Sequence, residues 1–579
     1  MAVYKEAEFY ELSERAVTVK FGDGIDPKLH ARVSQFMQVI DEQPFQGYVE
    51  AVPSYTGITF FYNPLKVIKT NNETTIQQQV IVELKERIDQ LEYAKKNSLE
   101  ANKIEIPVLY GGEYGPDLQE VAHANGLLTD EVIQLHSERT YLVYMIGFAP
   151  GFPFIGGMNE RIATPRKSKP REKVPAGSVG IAGHQTGVYP MATPGGWQLI
   201  GQTPLKLFDV NRDVPSLLQS GDQVTFKPIS KDAFVELKER SEKSHDSSRK
   251  AWGADDSTRH RSIWLFASRC VAKWCDGHDF VAHCQSTRRE RICRCSTNDC
   301  GPSLKFETDA LLAVTGAGMQ PVIDGKEYSL GVPLFIPKGQ MLSFKPIKHG
   351  IRAYVAVAGG FNVPQVMDSH STYLRAGFGG FEGRALQKGD VLAIQETNHK
   401  YFNWMKEQAG GFVKALKWGA NSLRLDEESN QSIRIFKGTH WDRFTEDSQK
   451  KLIHTEYFLT TQSDRMGYRF EAEETLELKD AFNVLSEAVD FGTVQVPSEG
   501  KPMILMADRQ TTGGYPRMAQ VIAADLSRLA QLRPTETMRF ELVSFKEAED
   551  LYVQQERSMT ERKAGIRLRW NECLKGAGV

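Results

Sequence analysis

VPAGSVGIAGHQTGVYP, from Val174 to Pro190, returns as VPSEGKPMILMADRQTTGGYP from Val496 to Pro516, and this echo organises the reading of the 579-residue chain. Both copies carry Val-Pro, a strand-like run, then Gln-Thr, glycine and Tyr-Pro. Around them short apolar runs alternate with glycine and proline turns, from Gly147 onward and again from residue 301 almost to the end, a texture of β-barrels. One helix is expected near Met518 to Leu532. A second echo, Leu-x-x-Gly-Asp before an apolar alternation, joins LLQSGDQVTF from Leu217 to ALQKGDVLAI from Ala385, with IPKGQMLSF from Ile336 as a weaker copy. The repeats imply related modules rather than one continuous sheet.

The N-terminal hundred residues read differently. AVTVKFG alternates as a strand, Leu29, Val33, Phe36, Met37 and Ile40 recur at helical spacing, and GYVEAVPSYTGITFFY supplies two more strands. A second helix carries Ile76, Val80, Leu84, Ile88 and Leu91 on one stripe before the polar AKKNSLEANK. The expected fold class is mainly β with α+β. A small N-terminal α+β domain occupies 1–100, with barrels at 101–242 and 426–579, a truncated barrel at 301–425, and an anomalous segment at 243–300.

Composition narrows the function. Lysine plus arginine number 71 against 73 acidic residues, a net charge of −2, so no positive field exists to gather nucleic acid or an anionic membrane surface. The opening MAVYKEAEFYELSER has no basic-then-apolar signal, which predicts a cytoplasmic location. The most apolar stretch, Tyr141 to Met158, is broken by Pro150, Pro153 and glycines and reads as a strand entering a buried loop.

Six of the seven cysteines lie between Cys270 and Cys300, among arginines, histidines and tryptophans without periodicity. CVAKWC, CRC and CSTNDC, with His278 and His283, do not reproduce the paired spacings of common zinc sites, so no metal is assigned. A segment without apolar faces cannot offset its ordering entropy, so poor order is expected there.

GFAPGFPFIGGM from Gly147, then TPRKSKPREKVPAGSVGIAGHQTGVYPMATPGGWQLIGQTPLKLFD up to Asp209, resembles the first accessory subunit of bacterial ATP-dependent 5-oxoprolinase, also described as sporulation-kinase-inhibitor or allophanate hydrolase subunit 1-like. This resemblance covers residues 1 to about 240. STYLRAGFGGFEGRALQKGD from Ser371, SDRMGYRF from Ser463 and the Val496–Pro516 motif continuing to Asp525 resemble the second accessory subunit, allophanate hydrolase subunit 2-like, over residues 301 to about 575. The resemblance implies cyclophilin-like barrels, carboxyltransferase-type domains and a two-subunit fusion. Back-translating Lys250 to Leu265 and shifting the frame by one nucleotide permits KPGALTTVQDTGRYGY, and Lys273 to His278 permits SGAMD; both resemble the opening of the second accessory subunit. Residues 246 to 300 thus read as an out-of-frame segment.

The resemblance also implies the chemistry: ATP, with magnesium, drives opening of the 5-oxoproline lactam to glutamate, and a separate catalytic subunit finishes the reaction, so the chain alone is expected to be inactive. No biotin-acceptor Ala-Met-Lys-Met and no G-x-x-x-x-G-K-[ST] loop occurs. Two rival readings are a regulatory binding protein of the histidine-kinase inhibitor or antagonist type, and a urea amidolyase-like carboxyltransferase module. A homo-oligomer is compatible with any of them.

Site candidates follow from polar groups on glycine turns, which can hydrogen-bond a lactam or carboxylate. His184, Gln185 and Gln510 are the catalytic candidates. Thr186, Tyr189, Thr511, Thr512 and Tyr515 are substrate-binding candidates, the alternative being that these turns only shape the chain. Arg375, Arg384 and Arg465 beside glycine-rich turns could clamp a carboxylate or phosphate. Asp464, Glu487 and Asp508 are the nearest acids, and GFAPGFPFIGGM is expected to form a lid or an interface loop.

Overall fold

The computed structural model describes residues 7–68, 74–91, 102–167, 171–248, 291–294, 302–346, 350–367, 369–395, 400–419, 432–480, 482 and 484–576. At the N-terminus a four-stranded antiparallel sheet runs in the order Glu8–Ser13, Ala16–Lys20, Gly57–Tyr62, Tyr48–Pro53. Helix Pro27–Glu42 begins where Asp26 accepts the Lys28 N–H at 2.8 Å and Pro27 presets the first turn. Its Leu29, Val33, Phe36 and Ile40 meet Val17, Val19, Ile58 and Phe60 of the sheet and Val80, Leu84 and Ile88 of helix Ile76–Leu91. The opposite sheet face, with Leu12, Ala16, Val52 and Phe61, packs on Ala488 from the far half of the chain.

Two closed seven-stranded barrels share one circuit. In the first, Lys103–Tyr110 is followed round the wall by Gln198–Gln202, Ser178–Ala182, Gln185–Val188, Pro153–Gly156, Thr140–Ile146 and Gln223–Pro228, which closes parallel to the starting strand. In the second the circuit is Ser432–Lys437, Arg517–Val521, Thr493–Gln495, Met503–Leu505, Gly467–Glu471, Tyr457–Leu459 and Thr537–Leu542, again closing parallel. Ile106, Val143, Ile155, Val179, Ile200 and Val224 fill the first interior, and Ile435, Leu459, Val494, Ile504, Met518 and Phe540 the second.

The shared circuit revises the register of the repeat. Val174–Pro175 precedes its hairpin, whereas Val496–Pro497 sits in the turn after Thr493–Gln495. Gln185, Thr186 and Val188 lie on a barrel strand, while Thr512–Gly513 forms a separate two-stranded ribbon with Glu487–Ala488. The ribbon's counterpart in the first barrel is Thr193–Gly195 with Arg171–Val174, so TPGGW from Thr193 matches TTGGY from Thr511. Gln510, Thr511, Thr512 and Tyr515 are therefore not the counterparts of Gln185, Thr186 and Tyr189. The helix expected near Met518 to Leu532 is also shorter: Met518 lies in a strand, and among these residues helical turns cover only Ala523–Asp525 and Leu526–Leu529. Arg517–Val521 is fully buried as barrel wall, and tertiary burial overrides local preference there.

Between the barrels lies a unit of two sheets that do not close among the described residues, of five and four strands, packed around Leu312, Val314, Leu334, Leu342 and Val355. The anomalous segment 243–300 falls outside the described residues except for the end of helix Lys231–Ser248 and the strand Arg291–Arg294, which pairs antiparallel with Arg352–Val355 at the edge of the larger sheet. Helix Phe545–Gly576 ties the ends together: Trp570 stacks on Tyr401 at 4.7 Å beside Trp404 and Trp418, while fully buried Glu549 accepts the Ile76 and Gln77 N–H groups at 2.8 and 3.0 Å. That carboxylate caps the N-terminus of the small domain's second helix, where a negative charge is favourable.

Candidate functional site

The two barrels and the small domain enclose a cleft of about 1880 Å3. The first barrel contributes the hairpin turn Gly183–Gln185 and the neighbouring Thr164–Arg166, which a β-bridge between Thr164 and Gly183 holds against that turn. The second contributes the equivalent turn, residues 496–500, together with His440, Arg443, Glu487 and Tyr515. Tyr10, Lys20 and Asp23 of the small domain complete it. Topologically equivalent turns thus face one cavity, and neither half of the chain builds it alone.

On the second barrel's wall, the Arg517 N–H donates to His440 Nδ1 at 3.0 Å, which leaves the proton of the neutral ring on Nε2. Burial, then the charges of Arg517, Lys20 and Arg443, push the His440 pKa down to about 3. Its Nε2 lies 3.8 Å from Glu487, whose carboxylate pairs with the Arg517 guanidinium at 3.0 Å. Phe482 lies 5.3 Å from the His440 ring and carries the Arg443 guanidinium on its face at 5.3 Å. A neutral imidazole that stays a donor, set among three cations, can stabilise negative charge developing on a carbonyl or phosphoryl oxygen.

The first barrel anchors its equivalent strand with a carboxylate. Asp117 accepts the Leu199 N–H at 2.7 Å and pairs with Arg171 at 2.7 Å and Lys167 at 3.0 Å. Burial pushes this carboxyl up, but the bonds from Arg171, Leu199 and Lys167 outweigh it and hold the pKa below the usual range. Of the described bases in TPRKSKPR, Lys167 and Arg171 are thus neutralised.

The residues expected from sequence divide sharply. His184 is exposed on the cleft turn, and Gln185, 6% exposed, lines the cleft with an Oε1 that has no partner among the described residues. Thr186 points into the barrel, donating to the Gly180 carbonyl at 3.1 Å and lying 2.9 Å from His136 Nε2. Tyr189 is buried between Phe152 and Trp197. Tyr515 lines the cleft, whereas Gln510, Thr511 and Thr512 do not. Thr512 instead meets the start of GFAPGFPFIGGM, where a Cβ on Gly147 would come 2.8 Å from its methyl group. That motif is an interface loop, its Phe152 and Phe154 buried in an aromatic cluster that reaches Leu485.

Arg375 pairs with Asp464 at 3.3 Å, Arg384 holds Asp390 through two bonds of 2.7 and 2.9 Å, and Arg465 holds Asp508 through two bonds of 3.0 Å. None of the three lines the cleft. Glu487 does, but its partner is Arg517. Sequence reading missed Arg166, His440, Arg443 and Lys20. Arg166 stood in a quoted motif without being singled out, and His440 has no local signal because its partner lies far along the chain.

Comparisons with known proteins agree with this architecture. The family pattern "Carboxyltransferase domain, subdomain C and D" matches residues 7–218, and "Carboxyltransferase domain, subdomain A and B" matches residues 298–542, beginning where the anomalous segment ends. The chain is 48% identical over 233 residues to the B-type 5-oxoprolinase subunit of Bacillus subtilis (strain 168), 40% of this chain and 96% of that protein. It is 39% identical over 269 residues to the C-type 5-oxoprolinase subunit of Haemophilus influenzae, 45% of this chain and 81% of that protein. The crystal structure of TTHA0988 superposes with a TM-score of 0.68 at 26% identity, covering 91% of this chain and 99% of that one. The chain therefore belongs to the families of the B-type and C-type 5-oxoprolinase subunits, joined in one polypeptide.

Proposed function

We propose that this chain is the fused accessory component of an ATP-dependent 5-oxoprolinase and that the cleft between its barrels receives 5-oxoproline. The observation that carries this reading is that the cleft takes its walls from both halves of the fusion, the B-type and the C-type. Lactams resist hydrolysis because amide resonance holds the carbonyl carbon unreactive. Transfer of the ATP γ-phosphoryl group to the lactam oxygen forms an O–P bond as the bond to ADP breaks, so that the lactam oxygen becomes a leaving group while negative charge builds on the phosphoryl and departing ADP oxygens. His440 Nε2–H and the Arg443 guanidinium are the donors placed to meet such charge. ATP enters as co-substrate, with magnesium carried on its phosphates, and a separate catalytic subunit finishes ring opening to glutamate in the cytoplasm.

The test is 5-oxoproline-dependent ATP hydrolysis and glutamate release by the purified chain, with and without a 5-oxoprolinase catalytic subunit. Turnover that requires both proteins is the expected result. ATP consumption indifferent to 5-oxoproline, with no glutamate formed, would sink the reading.

A further inference from the structure

We propose that Arg166 is the residue that selects the substrate by its carboxylate, an assignment that rests on the reading of the cleft as the 5-oxoproline site. Three observations lead to it. First, Arg166 is exposed to the cleft and has no hydrogen-bond or ion-pair partner among the described residues, whereas Lys167 and Arg171 are both engaged by Asp117. Second, its backbone is held on both sides: the Pro165 carbonyl accepts from Gln198 Nε2 at 3.1 Å, and the Lys167 N–H donates to the Gly196 carbonyl at 2.7 Å. A fixed stalk with a free guanidinium loses little freedom on binding a planar anion. Third, the Thr164–Gly183 bridge brings this segment beside Gln185, whose buried Oε1 lacks a donor among the described residues.

Leaving a buried acceptor unmatched is costly unless a ligand supplies the hydrogen. A cation beside an unmet acceptor suits a ligand bearing both an anion and an N–H, and a lactam acid carries both on adjacent atoms of one ring. The second barrel closes the far side: a Cβ placed on Gly514 would lie 3.5 Å from Arg166 Nη1 and 3.4 Å from both Ser486 Oγ and the Val484 carbonyl. Arg166 thus reaches across the junction, so the carboxylate would be gripped where the two halves meet.

The experiment uses the full chain with its catalytic subunit, comparing wild type, Arg166→Ala and Arg166→Lys. The readouts are KM and kcat for 5-oxoproline, and inhibition constants for 5-oxoproline amide and 2-pyrrolidinone, which lack the carboxylate. Arg166→Ala should raise KM roughly 10- to 100-fold, the worth of a lost charge-assisted pair, while the inhibition constants of the uncharged lactams stay within about twofold. Arg166→Lys should recover part of the loss, since it keeps the charge without the fork. An active wild type beside an Arg166→Ala protein of unchanged KM overturns the assignment alone. A wild-type complex with no 5-oxoproline-dependent turnover overturns the functional reading and this assignment with it.

Discussion

Against the first barrel the small N-terminal domain uses mainly aromatic contact, and against the second half of the chain it adds buried carboxylates and arginines to the apolar patch on Ala488. On the first side Tyr55 lies 5.1 Å from Tyr144 and 6.1 Å from Phe154, His30 lies 5.3 Å from Tyr144, and His30 Nε2 meets Ser220 Oγ at 3.1 Å. On the second, Asp490 accepts from Ser13 Oγ at 2.8 Å and from Arg509 at 2.7 Å, with Arg15 at 3.5 Å, while Glu14 accepts the Ala523 N–H at 2.7 Å. Apolar burial is non-directional, so it attaches a domain without fixing its angle. Charge-assisted bonds have a geometry, and they orient the small domain that completes the cleft.

The largest expected effect comes from breaking the charged seam. Asp490→Ala removes a buried carboxylate that pairs with Arg509, whose side chain is 4% exposed, and with Arg15. It should cost about 3–5 kcal/mol, read as a lower denaturation midpoint of the full chain. A loss under about 1 kcal/mol would mean the seam is wetter than its geometry implies.

Glu14→Gln sharpens the contrast through pH. Burial raises the Glu14 carboxyl from 4.5 to about 7, so the folded state holds its proton where the unfolded state has released it. The native protein therefore has this group's full contribution below about pH 4.5 and loses it as pH rises through about 7. Glutamine keeps the acceptor for Ala523 and removes the ionisation. The variant should gain roughly 3 kcal/mol over wild type at pH 8 and nothing at pH 4, and parallel stability curves across that range would refute the linkage.

The smallest effect belongs to the aromatic seam. Tyr55 is fully buried and its hydroxyl has no partner among the described residues, so Tyr55→Phe keeps the ring contacts and removes only that polar atom. Stability should change by less than about 1 kcal/mol, with any change in the stabilising direction. A marked loss on thermal melting would show that the hydroxyl has a partner in solution.

Much of the architecture was legible before folding was considered. The 3.6-residue stripes of Leu29 to Ile40 and Ile76 to Leu91 gave the helices of the small domain, and the glycine- and proline-punctuated apolar runs gave the barrels. The candidate cleft was legible only in part. His184, Gln185 and Tyr515 reach the cleft, but Thr186, one residue on, faces the barrel interior because neighbours on a strand point to opposite faces. The repeat misled in register because Gln-Thr, glycine and Tyr-Pro serve a barrel strand in one copy and a ribbon beyond the wall in the other.

By itself the sequence determined the class of each module, the families to which its two halves belong and the lack of excess charge for nucleic acid, since periodicity, motif and composition are local properties. Only the tertiary structure decided which of the described bases in TPRKSKPR lacks a partner among the described residues. Asp117, far from TPRKSKPR along the chain, takes Lys167 and Arg171 and leaves Arg166 to the cleft, and His440 is neutral because burial, and then the charge of Arg517 from a distant strand, lower its pKa. Charge pairing acts through space, and in a closed barrel the nearest partner in space is seldom the nearest in sequence.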